Sequence, residues 1–129
     1  MKSLEYLEQK GIPHRVLRLS EVPRTAADVE RLYGCPLRQV LKSLIFVGEK
    51  SAVLAVVPGD RKVDIVKLSA VTGEAYLRMA TPNEVQATTG YRVGGVSPFG
   101  APDGLTKVID ESVFSEPRVN IGSGTPEIG

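Results

Sequence analysis

Short apolar runs, broken every few residues by glycine, proline or charge, divide this chain into many small elements. "SLEYLEQKG" (3–11) predicts a short helix capped by Ser3 and stopped by Gly11. "HRVLRL" (14–19) predicts a strand with imperfect alternation. "RTAADVERLYG" (24–34) predicts a clearer helix, with Thr25 as N-cap, Asp28 in a capping-box-like place and Gly34 closing it. "VLKSLIF" (40–46) and "AVLAVV" (52–57) predict two apolar strands joined by a hairpin at "GEKSA" and ended by Pro58-Gly59-Asp60. "VDIVKLSAVTG" predicts a helix from Asp64 to Gly73, and "AYLRMA" (75–80) a short strand. "TPNEVQATTG" (81–90) carries a full set of helix signals. Thr81 is the N-cap, Pro82 the first helical residue, Glu84 the capping-box partner and Gly90 the stop. The remainder reads as a turn-rich stretch "YRVGGVSPFGAPDG", a strand "TKVID" (106–110), a short turn or helix, and a final strand "RVNIG" (118–122).

The sum, roughly seven short strands among several short helices, predicts a single α+β domain over residues 1–129 with a mixed sheet that can curl toward a barrel. No internal repeat or linker divides it. A length of 129 residues suits one core. With no Trp, 4 Tyr and 3 Phe, aliphatic side chains must build most of that core. The chain ends at Gly129 without a terminal helix, which leaves open a longer natural chain or a loose end.

The strand "VLKSLIF" contains an anomaly. Alternation places Val40, Lys42, Leu44 and Phe46 on one face and Leu41, Ser43 and Ile45 on the other. Both faces are otherwise apolar, so the segment is expected to be buried on both sides, with a cation on one of them. An ammonium in an apolar place is expensive unless it is paired, hydrated or neutralised. Two readings stand: the Lys42 stem snorkels and its head reaches water or a carboxylate, or the lysine lies at the floor of a pocket and offers a fixed positive charge to a carbonyl oxygen or phosphate.

Composition narrows the chemistry. The net charge of +1 argues against a broad polybasic surface that grips nucleic acid by charge alone, while leaving room for a small local contact with an RNA end. Cys35 is the lone cysteine and His14 the lone histidine, so a Cys-rich zinc site, a Ser-His-Asp triad and a Cys-His dyad have little to work with. Cys35 reads as a small residue in a turn and His14 as a partly exposed residue at a strand start. The polar start "MKSLEYLEQKG" does not fit a signal peptide and no run approaches membrane-spanning length, so a soluble cytoplasmic protein is expected.

Three further stretches carry candidate chemistry. Gly90, Gly94, Gly95, Gly100 and Gly104 fall within one loop stiffened by Pro98 and Pro102. Its peptide N–H groups can point at an anion or carbonyl, or it is an ordinary strand connection. It lacks the Gly-Lys-Ser/Thr ending of a P-loop. Gly122, Ser123 and Gly124 form a second glycine-rich segment, by default a strand end and loop. Asp60, Arg61, Lys62 and Asp64 form a mixed-charge run, most simply a solvated turn and helix start.

"VLKSLIFVGEKSAVLAVVPGDRKVDIVKLSAVTG" (40–73) and "MATPNEVQATTGYRVGGVSPFG" (79–100) together resemble the YbaK/ProX family of aminoacyl-tRNA deacylases, which includes the editing insertion domain of bacterial prolyl-tRNA synthetases. The resemblance runs from about residue 3 to 124, carried by the lysine followed by Ser and Leu and by the loop "GYRVGGVSPFG". It implies a mixed, barrel-like β-sheet with short flanking helices, and trans-editing: hydrolysis of the ester joining a wrong amino acid to tRNA, a small one such as Ala or Cys, on tRNA for proline. By resemblance, Lys42 is the catalytic residue. Gly94, Gly95, Val96, Ser97 and Pro98 bind the aminoacyl ester and terminal adenosine, with Ser43, Gly122 and Ser123 also near the substrate and Glu127 at a family acidic position. The partners this implies are the acceptor end of aminoacyl-tRNA and, as a second candidate, a synthetase, with no metal or organic cofactor and no membrane. The alternatives are a non-catalytic domain that binds a tRNA acceptor end or a synthetase, and hydrolysis of another small ester or nucleotide conjugate.

Overall fold

The computed structural model describes residues 2–91, 96–98 and 105–121. Its strands are β1 (Leu41–Val47), β2 (Ala52–Pro58), β3 (Arg78–Met79) and β4 (Thr106–Ile109). They form one mixed sheet in the order β3-β1-β2-β4. β1 runs antiparallel to β2 and β3, while β2 and β4 are parallel. Four α-helices accompany the sheet: α1 (Lys2–Gln9), α2 (Ala26–Tyr33), α3 (Ile65–Thr72) and α4 (Pro82–Thr89). The α+β expectation holds, but the described strands leave an open sheet with β3 and β4 at its edges, and nothing among the described residues closes it into the barrel-like form.

β2 lies in the middle and is covered on both faces, with Val53 and Leu54 fully inaccessible to solvent. Alternation along β1 and β2 separates two cores. On one face Leu41, Ile45, Leu54 and Val56 pack with Val85 of α4, Tyr91, Val96 and Leu105. On the other, Phe46, Val53 and Ala55 pack with Leu68 of α3 and with Leu77. Each fully buried aliphatic or Phe side chain contributes about 1.5–3 kcal/mol, so these two layers are what hold the sheet against α3 and α4.

Helix limits follow local chemistry. Thr25 accepts from the Asp28 amide, and Asp28 reaches back to the Arg24 amide rather than to that of the cap residue. Asp64 accepts from the amides of Val66 and Lys67, which starts α3. Thr81 and Glu84 complete a reciprocal capping box on α4. Gly34, Gly73 and Gly90 end α2, α3 and α4 in the left-handed region that an L side chain avoids. α1 begins at Lys2, so Ser3 lies inside its first turn instead of capping it.

Several expected strands are shorter or missing. Residues 14–19 form no strand, only a single bridge at Arg18, and His14, Arg15 and Val16 are exposed. Of "AYLRMA" only Arg78 and Met79 pair, and among the described residues of "RVNIG" (118–121) only Asn120, which bridges Val40 in parallel. After β4, residues Glu111–Ser115 form a short 3-10 turn capped by Asp110.

Arg78 at the edge strand grips Glu84 of α4 with two hydrogen bonds, Nη1–Oε1 at 2.7 Å and Nη2–Oε2 at 2.9 Å. These bonds, followed by one from the Thr81 amide, hold the Glu84 carboxyl at about 2, below its ordinary 4.5. A depressed carboxylate stabilises the fold above its unfolded value and loses that contribution as pH falls toward the folded one. Denaturant midpoints should therefore fall between pH 4.5 and about 2, and this limb should flatten in Glu84→Gln. An unchanged acid limb in that variant would contradict the assignment.

Candidate active site

Lys42 enters β1 from a short 3-10 turn, Leu37–Gln39, and three residues, Gly59, Asn120 and Glu116, fix that approach. The Gly59 amide donates to the carbonyls of both Leu37 (3.1 Å) and Val40 (2.8 Å). Only glycine allows this approach, since a Cβ there would meet the Val40 oxygen at 2.8 Å and the Leu37 oxygen at 3.0 Å. From the other side Asn120 clasps the strand: its amide donates to Gln39 O and its carbonyl accepts from the Leu41 amide, each at 2.7 Å. Its side chain donates to the Cys35 sulfur at 3.1 Å. Glu116 adds Oε1 to Arg38 at 2.9 Å and Oε2 to the Gln39 amide group at 3.2 Å. Beside Cys35, burial first, and then the thiol itself, push the Tyr33 phenol above its ordinary value.

The Lys42 side chain is half-buried and stands on the face of Leu44 and Phe46, as alternation requires. Its cross-strand partner is Val57, itself buried. Directly opposed side chains have Cβ atoms about 4.5–5.5 Å apart, so the lysine stem runs against an apolar neighbour. None of the ion pairs or hydrogen bonds among the described residues engages its ammonium. No described carboxylate compensates the charge, and the arrangement leaves it for water or a ligand.

Ser43 projects to the opposite face, between Leu41 and Ile45 and paired with Val56. Val96 packs in that same core, Ser97 is fully inaccessible and hydrogen-bonded or otherwise engaged, and Pro98 is half-buried. The structure thus brings Ser43 and Val96 to one side of the sheet and Lys42 to the other. Gly94, Gly95, Gly122, Ser123 and Glu127 lie outside the described residues. Reading the sequence missed Asn120, Glu116 and Gly59 as site-forming residues. Asn120 and Glu116 act on partners far away in sequence, and only the turn propensity of Pro58-Gly59 pointed at the third. His14 is exposed, with its ring Nδ1 2.8 Å from Ile12 O. No group of three or more His, Cys, Asp or Glu among the described residues is placed to hold a metal, and none of their helices is long and apolar enough to cross a membrane.

The aminoacyl-tRNA editing domain model matches residues 21–128, and the chain belongs to that family. It is similar to EbsC of Enterococcus faecalis, named as a candidate Cys-tRNA(Pro)/Cys-tRNA(Cys) deacylase: 33% identical over 125 residues, 95% of this chain and 76% of that protein. A crystal structure of a candidate trans-editing enzyme for prolyl tRNA synthetase superposes with a TM-score of 0.87 at 38% identity, covering 98% of this chain and 81% of that one. The proline–tRNA ligase of Thermotoga neapolitana is 35% identical over 99 residues, 74% of this chain. The chain spans only 17% of that ligase, and 14% of the one from Thermosipho africanus.

Gly59→Ala should cost about 1–3 kcal/mol, because the two carbonyls it approaches are backbone and cannot move aside cheaply. Faster hydrogen exchange at Val40 and Leu41 should accompany the loss. An unchanged denaturation midpoint would show that the contact does not hold the strand.

Proposed function

We propose that this domain is a trans-editing deacylase that hydrolyses the ester between a wrongly attached small amino acid, Ala or Cys, and tRNA for proline. The observation that carries the reading is Lys42: a half-buried cation on an apolar strand face, hydrogen-bonded to none of the described residues, in a chain of the editing family.

In this mechanism the Lys42 ammonium donates to the ester carbonyl oxygen. A water, positioned by the neighbouring ribose hydroxyl of the tRNA, attacks the carbonyl carbon and gives up its proton toward the departing ribose oxygen, while negative charge gathers on the carbonyl oxygen next to the fixed positive charge. One positioned donor of this kind lowers the barrier by about 3 kcal/mol. The carbon–oxygen ester bond then breaks, the ribose oxygen takes a proton, and the free amino acid leaves. An aminoacyl ester is already activated, so orientation and charge stabilisation suffice without a nucleophilic triad. Burial of Val96 and Ser97 anchors one end of the loop. We assign the backbone of Gly94 through Pro98, with Gly122 and Ser123, to the aminoacyl group and terminal adenosine, which would have to meet Lys42 past the end of β1, since Val96 packs on the face opposite the lysine. Ser43 serves the loop's side of the sheet. A synthetase that delivers or rejects the tRNA would supplement the small domain's own selectivity, since size differences of one methylene discriminate only weakly.

Incubation with tRNAs carrying Ala, Cys, Ser, Thr or Pro should release one or two of the small amino acids. Lys42→Ala should lower the rate about 100-fold or more with its unfolding midpoint unchanged. Full turnover in folded Lys42→Ala would overturn the mechanism. No release from any tRNA by the wild-type protein would favour a binding module.

A further inference from the structure

The face that carries Lys42 continues into a groove of about 250 Å³ between α3 and the β2–β4 pair. Val57, the cross-strand partner of Lys42, lines one end, and Leu68 and Val108 extend the apolar floor. Three exposed cations stand around it: Arg61, Lys62 and Lys67. Elsewhere Arg31, Arg38 and Arg78 are held in ion pairs with Glu21, Asp28, Glu116 and Glu84. None of the groove's three side-chain heads makes an ion pair or hydrogen bond with a described residue.

Two carboxylates also line the groove, each with one oxygen engaged in capping its own turn. Asp64 Oδ1 caps α3 through the amides of Val66 and Lys67, and Asp110 Oδ1 accepts from the Ser112 amide and hydroxyl. Ser112 is the main reason the Asp110 carboxyl lies below its ordinary range, and Arg61 and Lys67 lower it further from a distance. Both carboxylates keep their charge, so the lining sets three cations against two anions; what favours an anionic ligand is that the three cation heads are exposed while Oδ1 of each carboxylate is turned to its own turn. An apolar floor with a cationic rim complements a nucleotide, whose sugar and base edge are weakly polar and whose phosphodiester is anionic.

We propose that this groove is a docking track for the phosphodiester backbone of the acceptor strand, on which Arg61, Lys62 and Lys67 contact phosphates while the 3′ end reaches Lys42. The inference rests on the deacylase reading for the identity of the RNA, and on the groove's charge and position for the contact. It makes these three residues positioning residues that set affinity and leave the chemical step alone.

The test is binding of an uncharged acceptor-stem minihelix across a salt series, by wild type and by Arg61→Gln/Lys62→Gln/Lys67→Gln. The three side chains are exposed, so the variant is expected to fold, and its melting curve checks this. Each lost phosphate contact should make the slope of log Kd against log salt shallower by about 0.7–0.9, so the triple variant should be shallower by about 2 and bind roughly tenfold more weakly at low salt. In hydrolysis of charged tRNA, KM should rise and kcat should hold. A control that removes the same charge elsewhere, Lys10→Gln/Arg15→Gln/Arg18→Gln, should keep the wild-type slope. Equal slopes in wild type and the groove variant, an equal loss in the control, or no minihelix binding at all would overturn the track. Competition by poly-glutamate as effective as by the minihelix would reassign the groove to an acidic protein partner. Because binding is read without turnover, failure of the deacylase reading appears separately, as binding without hydrolysis by the wild-type protein.

Discussion

The clasp of Asn120 between Gln39 and Leu41 is the constraint on which the site depends. Two backbone hydrogen bonds of 2.7 Å tie a segment late in the chain to the first residues of β1. Gly59 presses on the same turn from the β2 side, with its amide shared between Leu37 and Val40. The strand is therefore fixed on both flanks at the point where Lys42 emerges. A slip of one residue would exchange the two faces of β1, sending Lys42 into the Leu54–Val85 core and Phe46 out of its own. The register is safeguarded because both faces are packed.

That packing also explains how a lysine is tolerated. Its stem lies along Val57 and Leu44, while partial exposure keeps the head from the full cost of desolvation. A compensating carboxylate would make the site more stable and less useful, because it would compete with any carbonyl or phosphate for the same charge. Glu84 illustrates the opposite case: two bonds from Arg78 and one from the Thr81 amide occupy its carboxylate, and it serves the fold alone. The structure thus separates charges spent on architecture from charges left open on the Lys42 face.

Where a segment's structure is decided by its own residues, the sequence was readable. Thr25, Asp64 and Thr81 start their helices and Gly34, Gly73 and Gly90 stop them, as their residue types require. The two faces of β1 were legible from alternation, including the lysine's anomalous place. Strands were overread at residues 14–19 and, among the described residues, at 118–121, because a strand needs a partner and apolar content alone does not supply one. The clasp was invisible for the same reason: Asn120 and Cys35 are 85 positions apart, and Glu116 and Gln39 are 77 apart. The curl toward a barrel, drawn from strand number and family resemblance, gives way to an open sheet among the described strands.

The most direct test of the account follows the Lys42 side chain itself. With 13C-labelled lysine and assignment by Lys42→Arg, the Lys42 Cε resonance is monitored during titration with a 3′-aminoacylamino-adenosine, whose amide cannot be hydrolysed as an ester. The account predicts a saturable shift at Lys42, matched by amide shifts at its neighbours on β1 and at Val96–Pro98. Shifts confined to other lysines, with Lys42 unmoved at saturation, would contradict the claim that its charge is held open for the aminoacyl end.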